Sequence, residues 1–123
     1  RRLRARIKAK PSPIALAALG ELYHQLGQHR HALEASSQAG DLLGQLRSLV
    51  ELQQYHKATS VCASLWKTGK ITPQARYYKG RLLRTQGMYE AARELLEQAA
   101  RSQQRHVVDV HTDARVAGRG NHR

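Results

Sequence analysis

The sequence of 123 residues has no phenylalanine, one tryptophan and one cysteine. One cysteine cannot form an intramolecular disulfide, which argues against a disulfide-stabilised secreted fold. A run of about 18 apolar residues is also missing, as is a secretory signal, so we expect no membrane-spanning helix and no membrane partner. These absences predict a cytoplasmic or nuclear protein. The chain does not begin with Met, which leaves open that it is a fragment of a longer one.

Because aromatic residues make up only 5% of the chain, the core must be built mainly from leucine, alanine and tyrosine. Leucine and alanine are strong helix formers, whereas β-branched residues are sparse here and scattered. The composition therefore predicts one small all-α domain.

Acidic residues are few as well. The chain has nine Asp and Glu and 21 Lys and Arg, which gives a net charge of +12. The excess is uneven. A basic N-terminal segment contains no acid and carries Arg1, Arg2, Arg4, Arg6, Lys8 and Lys10. The region from residue 11 to 104 has eleven basic and seven acidic residues, so we expect this part to be only mildly basic.

A pattern of small and apolar residues occurs three times. Its first copy reads L-x-x-L-G-x-x-Y-x-x-x-G-x-x-x-x-A, from Leu16 to Ala32. The second copy keeps Leu49, Tyr55, Ala58, Cys62 and Leu65, and the third keeps Gly80, Gly87, Tyr89, Ala92, Leu96 and Ala99. From Ala58 to Ala92 is 34 residues, but from Ala32 to Ala58 is only 26. The middle unit is therefore shortened.

Turn and capping residues divide the repeats into helices. Ser12-Pro13 and Thr72-Pro73 each supply an N-cap hydroxyl followed by proline, and Gly40-Asp41 ends one helix and caps the next. We predict helices at 13–26, 30–39, 42–53, 56–68, 73–86 and 89–104, paired in three hairpins. Gly27 and Gly87 occupy the turns inside the first and third helix pairs. The turn inside the second pair has Gln53-Gln54 instead. Small residues at the helix crossings should let backbones approach, with Leu19, Tyr23, Leu83 and Leu96 filling the adjacent space.

These units resemble the tetratricopeptide repeat (TPR) family, whose period is about 34 residues. Pentatricopeptide and Sel1-like arrays are related alternatives. The resemblance implies an all-α, right-handed superhelical array of antiparallel helix pairs, a TPR-like α-solenoid. It also implies a protein-interaction scaffold or adaptor within a larger complex.

The resemblance further implies a concave groove lined by the first helix of each pair. In this chain it would include the partner-binding residues Glu21, His24, Arg47, Val50, Tyr77, Arg81 and Arg84. Three arginines suggest an acidic or phosphorylated peptide, because guanidinium pairs bidentately with carboxylate and phosphate. The carboxylate clamp of chaperone-binding members needs Lys and Asn where this chain has Ala17 and Glu21. We therefore do not expect a receptor for chaperone tails.

Catalytic motifs are missing. The sequence has neither an HExxH arrangement nor a glycine-rich phosphate-binding motif. Cys62 falls on the apolar stripe of its helix and is predicted to lie in the core rather than act as a nucleophile. The histidines are predicted to be surface residues. We accordingly expect no enzyme activity, no cofactor and no metal site.

The predicted domain organisation is a basic segment at 1–12, a repeat domain at 13–104 (units 13–40, 41–70 and 72–104) and a disordered polar tail at 105–123. The basic segment has three interpretations: part of a preceding repeat helix, a nuclear-import or nucleic-acid tether, or a mitochondrial presequence. A nucleic-acid-associated module is accordingly the alternative function. The uncapped last repeat would need a partner, self-association or further sequence.

Overall fold

The structure is a computed structural model that describes residues 11–102. In this region it is all-α, as the sequence predicts, and contains no strand. The helices are α1 (Pro13–Gln25), α2 (His29–Ala39), α3 (Leu42–Glu51), α4 (Tyr55–Thr68), α5 (Pro73–Thr85) and α6 (89–102). The basic residues 1–10 and the predicted tail at 105–123 lie outside the described residues.

Three helices begin at the capping residues that the sequence indicates. The side chains of Ser12 and Thr72 accept hydrogen bonds from the backbone N–H groups three residues later, at 3.3 and 3.1 Å, and proline follows each cap. Asp41 accepts from the Gly44 N–H at 3.1 Å. Each bond satisfies a backbone donor that the first helical turn leaves without a partner.

The turns inside the three helix pairs share one backbone conformation. Gly27, Gln53 and Gly87 have positive φ values of 77°, 62° and 80°. In each turn the next residue donates its N–H to the carbonyl five residues earlier; the bonds are Gln28 to Tyr23 (2.8 Å), Gln54 to Leu49 (2.9 Å) and Met88 to Leu83 (3.0 Å). This is the Schellman arrangement that closes helix C-termini. The middle turn therefore keeps the geometry of the others without their glycine.

The helices form two compact units, divided in sequence between Ile71 and Thr72. The first unit contains α1 to α4, and successive helices in it pack against each other. The second unit contains α5 and α6. The predicted right-handed superhelix is a property of all the helix pairs together. It stays a prediction, because the two units are described separately.

In the first unit, α2 packs closely against both of its neighbours at Ser36. A Cβ atom placed on Gly20 of α1 would lie 2.9 Å from the Ser36 Oγ. A Cβ placed on Gly44 of α3 would clash with the same oxygen and lie 3.0 Å from the Ser36 Cβ. Ser36 is fully buried. Glycine on both sides of this serine thus sets the spacing of three helices.

The second unit repeats the first contact. A Cβ on Gly80 would lie 3.4 Å from the Ala92 carbonyl oxygen, just as one on Gly20 would lie 3.4 Å from the Ala32 carbonyl oxygen. The Leu96 side chain covers Gly80, at 2.7 Å from that Cβ position. The middle pair has Leu46 at the corresponding place, and both Leu46 and Ala58 are completely buried. The predicted close crossings are confirmed at Gly20 and Gly80.

Burial corrects part of the predicted core. Leu19 is 39% exposed, so its predicted role as a filler of the first crossing is wrong. Tyr89 is 68% exposed, and Tyr77 is exposed while its neighbour Tyr78 is buried. Cys62 is buried as expected.

Replacing Gln53 by glycine should stabilise the protein. The left-handed conformation destabilises a residue that has a Cβ atom by roughly 1–2 kcal/mol. Glycine avoids this strain but loses more conformational entropy on folding, which offsets part of the gain. We expect Gln53→Gly to raise the free energy of unfolding by about 1 kcal/mol in urea denaturation. Gln53→Ala keeps the Cβ and is the matched control. An equal gain in both variants would show that the backbone conformation is not the cause.

Adding one methyl group at Gly44 should destabilise the first unit. Overpacking typically costs roughly 1–3 kcal/mol, and alanine regains about 1 kcal/mol through its helix propensity. We therefore expect Gly44→Ala to lower the free energy of unfolding by about 1 kcal/mol. The loss should be smaller in a Ser36→Ala background, where the nearest oxygen is absent. Identical losses in both backgrounds, measured by thermal and urea denaturation, would contradict the packing at Ser36.

Candidate functional site

The seven predicted groove residues differ widely in exposure. The exposed ones are Glu21, Tyr77 and Arg84, the half-buried ones are His24 and Arg81, and the buried ones are Arg47 and Val50. Val50 is only 2% exposed, which removes it from the side chains that a partner could contact. The remaining residues fall into two groups, one in each unit, and each group is described by itself.

In the first unit, the turn between α1 and α2 brings two histidines together. His24 lies in the last turn of α1 and His29 is the first residue of α2. Their ring centroids are 5.4 Å apart. The Nδ1 atom of each ring is buried and has no hydrogen-bond partner among the described residues. Two imidazoles are thus held close together with unsatisfied ring nitrogens.

Arg47 on α3 acts electrostatically on His24, and we term His24, His29 and Arg47 the histidine–arginine cluster. The Arg47 side chain is only 7% exposed, and its Nε atom is buried without a hydrogen-bond partner in the described region. A buried polar group in this state costs roughly 1–3 kcal/mol, and more when it is charged. The structure thus corrects the expectation of an arginine on a solvated groove.

The charges around His24 oppose its protonation. Burial lowers the pKa of His24 most, followed by the positive charge of Arg47 and by His29. Glu51 and Glu21 act in the opposite direction but do not reverse the shift. Desolvation and a nearby cation both disfavour imidazolium. The folded chain therefore favours the neutral form of His24 more than the unfolded chain does.

The second unit has a tyrosine–arginine cluster on α5, formed by Tyr77, Tyr78 and Arg81. The two rings meet edge to face, with centroids 4.9 Å apart. The guanidinium carbon of Arg81 lies 5.6 Å from the centroid of each ring. Such cation–π contacts favour a fixed guanidinium orientation. Tyr77 is 42% exposed, so the cluster reaches the surface.

The charges of the second unit are separated between its helices. Helix α5 carries four cations and no acid; they are Arg76, Lys79, Arg81 and Arg84. The acids Glu90 and Glu97 lie on α6 and form exposed ion pairs with α6 cations, at 2.7 Å (Glu90–Arg93), 3.4 Å (Arg93–Glu97) and 4.0 Å (Glu97–Arg101). Helix α5 itself contains no acid that could pair with these cations.

A shallow apolar depression of about 370 Å³ also lies in the second unit. It is lined by residues of α6 together with Arg84 of α5; the α6 residues are Tyr89, Ala92, Arg93, Leu96, Glu97 and Ala100. In this depression the exposed side chain of Arg84 adjoins exposed apolar surface.

Residues 11–102 provide neither a membrane-spanning helix nor a metal-binding group. No helix in this range is long and apolar enough to cross a membrane. Within the same range no three His, Cys, Asp or Glu side chains are grouped so that they could hold a metal ion.

Sequence reasoning missed the pairing of His24 with His29. The available signal was their spacing of five residues across a turn containing Gly27, because the Schellman turn folds the second helix back on the first. The sequence predicts both histidines at the surface; in the structure each is half-buried, with a buried Nδ1 atom.

The described helices define a helical-repeat protein built from antiparallel helix pairs. Residues 13–36 and 73–98 match the tetratricopeptide repeat family. These two segments are similar to tetratricopeptide repeats, which generally mediate protein–protein interaction. The shortened middle unit is outside the matched segments, and the number of three repeats stays a prediction. Comparisons with curated proteins and with solved structures gave no match.

The lowered pKa of His24 should make folding stability depend on pH. Below its ordinary value of 6.5 the unfolded chain takes up a proton at this residue, whereas the folded chain resists it. The free energy of unfolding should therefore fall as the pH drops from 7.5 to 5.5. His24→Gln should reduce this fall, and His56→Gln, at an exposed site on α4, should not. Urea denaturation across this pH range measures both, and identical profiles for the two variants would contradict the assignment.

Proposed function

We propose that the chain is a protein-interaction scaffold that binds an acidic segment of a partner protein through cationic side chains of its repeats. The match of two segments to tetratricopeptide repeats supports the protein partner, since these repeats generally bind proteins. The observation that carries the acidic specificity is the tyrosine–arginine cluster, with Arg81 positioned over two aromatic rings on a helix without acids.

The position of Arg81 suits carboxylate recognition. Contact with the Tyr77 and Tyr78 rings restricts the guanidinium to few orientations. A guanidinium has five N–H donors in one plane, and a carboxylate accepts two of them in parallel. Restricting the arginine before binding reduces the entropy lost when the ligand docks. A glutamate or aspartate of the partner is the matching group.

Arg84 extends the same helix face by about one turn. It is exposed, and no ion pair joins it to another residue in the range 11–102. It also borders the apolar depression beside Tyr89. A partner segment with an acidic residue followed by an apolar one could therefore pair with Arg84 and cover this surface.

The alternative function is nucleic-acid association through the basic N-terminal segment. Dense Arg and Lys contact phosphate without sequence preference. The described region is only mildly basic, however, and part of its tyrosine surface is occupied in the tyrosine–arginine cluster. Self-association through the last repeat is a further alternative. Catalysis is not proposed, because the family is typically a non-enzymatic scaffold.

Charge reversal tests the proposal with a defined probe. A fluorescein-labelled peptide of eight glutamates is titrated with the full chain at about 150 mM salt, and its glutamine counterpart serves as the neutral ligand. We expect Arg81→Glu/Arg84→Glu to weaken binding by at least about tenfold, because paired charges at a contact are worth more than screened surface charges. Fluorescence anisotropy measures the affinities.

A charge-matched control separates specific pairing from general attraction to a basic protein. Lys57→Glu/Lys67→Glu makes the same change in net charge at exposed positions of α4, and it should weaken binding by no more than about threefold. Circular dichroism confirms that both variants remain equally helical. Equal losses in the two variants would overturn the proposal, and tighter binding of single-stranded DNA than of the peptide would favour the nucleic-acid alternative.

A further inference from the structure

The first helix carries an apolar surface that is open to solvent. We term it the α1 stripe; its residues are Ala15, Ala18, Leu19, Leu22 and Leu26. All five are exposed, and Leu22 and Leu26 are 49% and 60% exposed. At 3.6 residues per turn they lie within roughly 100° of the helix circumference. A helix normally buries such a stripe against another element.

We propose that residues 1–10 form a helix that packs antiparallel to α1 and covers this stripe with Leu3 and Ile7. The inference goes beyond the proposed function and does not depend on an acidic ligand. It assigns a role to the apolar side chains of the basic N-terminal segment, next to which the stripe lies in the chain.

The connection between the basic segment and α1 favours this packing. Pro11 is expected to end a helix at residue 10, because a proline disfavours helical backbone in the residue before it. Ser12 is already the N-cap of α1, so two residues separate the segment from the helix. Helices joined by so short a connection usually pack antiparallel. In the same unit α2 and α3 are separated by residues 40 and 41 and pack against each other.

The length of the segment matches the part of the stripe that it would cover. Ten helical residues span about 15 Å, which extends from the start of α1 to about Leu22. In an antiparallel pair, residues at equal distances from the connection lie opposite each other. Ile7 then lies beside the alanines of the stripe, and Leu3 lies beside Leu19 and Leu22. Because Leu3 and Ile7 are four residues apart, both lie on one face of the proposed helix.

The charges of the segment and of α1 are compatible with this contact. Residues 1–10 carry six cations and no acid. Helix α1 contains no Lys or Arg, whereas each of the other five described helices has at least one. Its acid, Glu21, is exposed and adjoins Leu22 in the chain. The basic segment can therefore approach α1 without facing Lys or Arg, and its long side chains can keep their charged ends in solvent.

Nuclear magnetic resonance of the methyl-labelled full chain tests the contact directly. The chain has three isoleucines, Ile7, Ile14 and Ile71, so a conservative Ile7→Val substitution identifies the Ile7 signal. We expect nuclear Overhauser effects between the Ile7 δ1-methyl and the Ala18 methyl. The methyl groups of Leu3 and Leu22 should show them as well. Their absence between residues 1–10 and α1 would overturn the proposal.

Thermal denaturation of the full chain measures what the contact contributes to stability. We expect Leu3→Ser/Ile7→Ser to lower the melting temperature by at least about 5 °C, because two apolar side chains lose their burial. The matched control is Arg4→Ser/Lys8→Ser, which makes the same replacement at the same spacing on a different helix face. It should change the melting temperature by no more than about 3 °C. An equal decrease in both variants would contradict the packing of Leu3 and Ile7.

A substitution on the stripe separates this occupant from the others. Leu22→Ser should lower the melting temperature alone, and it should add little to Leu3→Ser/Ile7→Ser, because residues in contact are not additive. If only Leu22→Ser is destabilising, and if it also dissociates a dimer in sedimentation velocity, a second copy covers the stripe and the proposal is wrong. If neither variant changes the melting temperature, the stripe is uncovered and the proposal is equally wrong.

Discussion

The close packing of three helices around Ser36 is the constraint on which the first unit depends. Gly20 and Gly44 let α1 and α3 approach this buried serine from two sides. His24 follows Gly20 by about one helical turn, and Arg47 follows Gly44 by about one turn. His24 and Arg47 therefore lie on neighbouring helices, and the Arg47 charge contributes to lowering the pKa of His24. A contact that determines packing thus determines the charge environment of the candidate site.

The sequence is sufficient to predict the helices and their pairing, because these depend on local interactions. The caps at Ser12, Asp41 and Thr72 lie where short-range rules place them. The crossings at Gly20 and Gly80 follow from the repeat spacing. The middle turn is the exception, since Gln53 is unusual in the left-handed conformation. The tertiary packing of α3 and α4 evidently outweighs this local preference.

The candidate site was only partly predictable, because burial depends on contacts between helices that are distant in sequence. Arg81 and Arg84 lie on the predicted helix. The sequence does not reveal that Arg81 lies against two tyrosine rings. It places Arg47 on the same type of helix face, and that side chain is nevertheless buried. Helical periodicity predicts the helix face on which a residue lies. It does not predict which other helices pack against that face.

The central claim is that side chains within the repeats, rather than the basic N-terminal segment, bind an acidic partner segment. Nuclear magnetic resonance of the labelled chain, titrated with the octaglutamate peptide at pH 6.5, tests this claim most directly. The account predicts shifts of the Arg81 and Arg84 side-chain Nε–H signals. Shifts confined to residues 1–10 would contradict it.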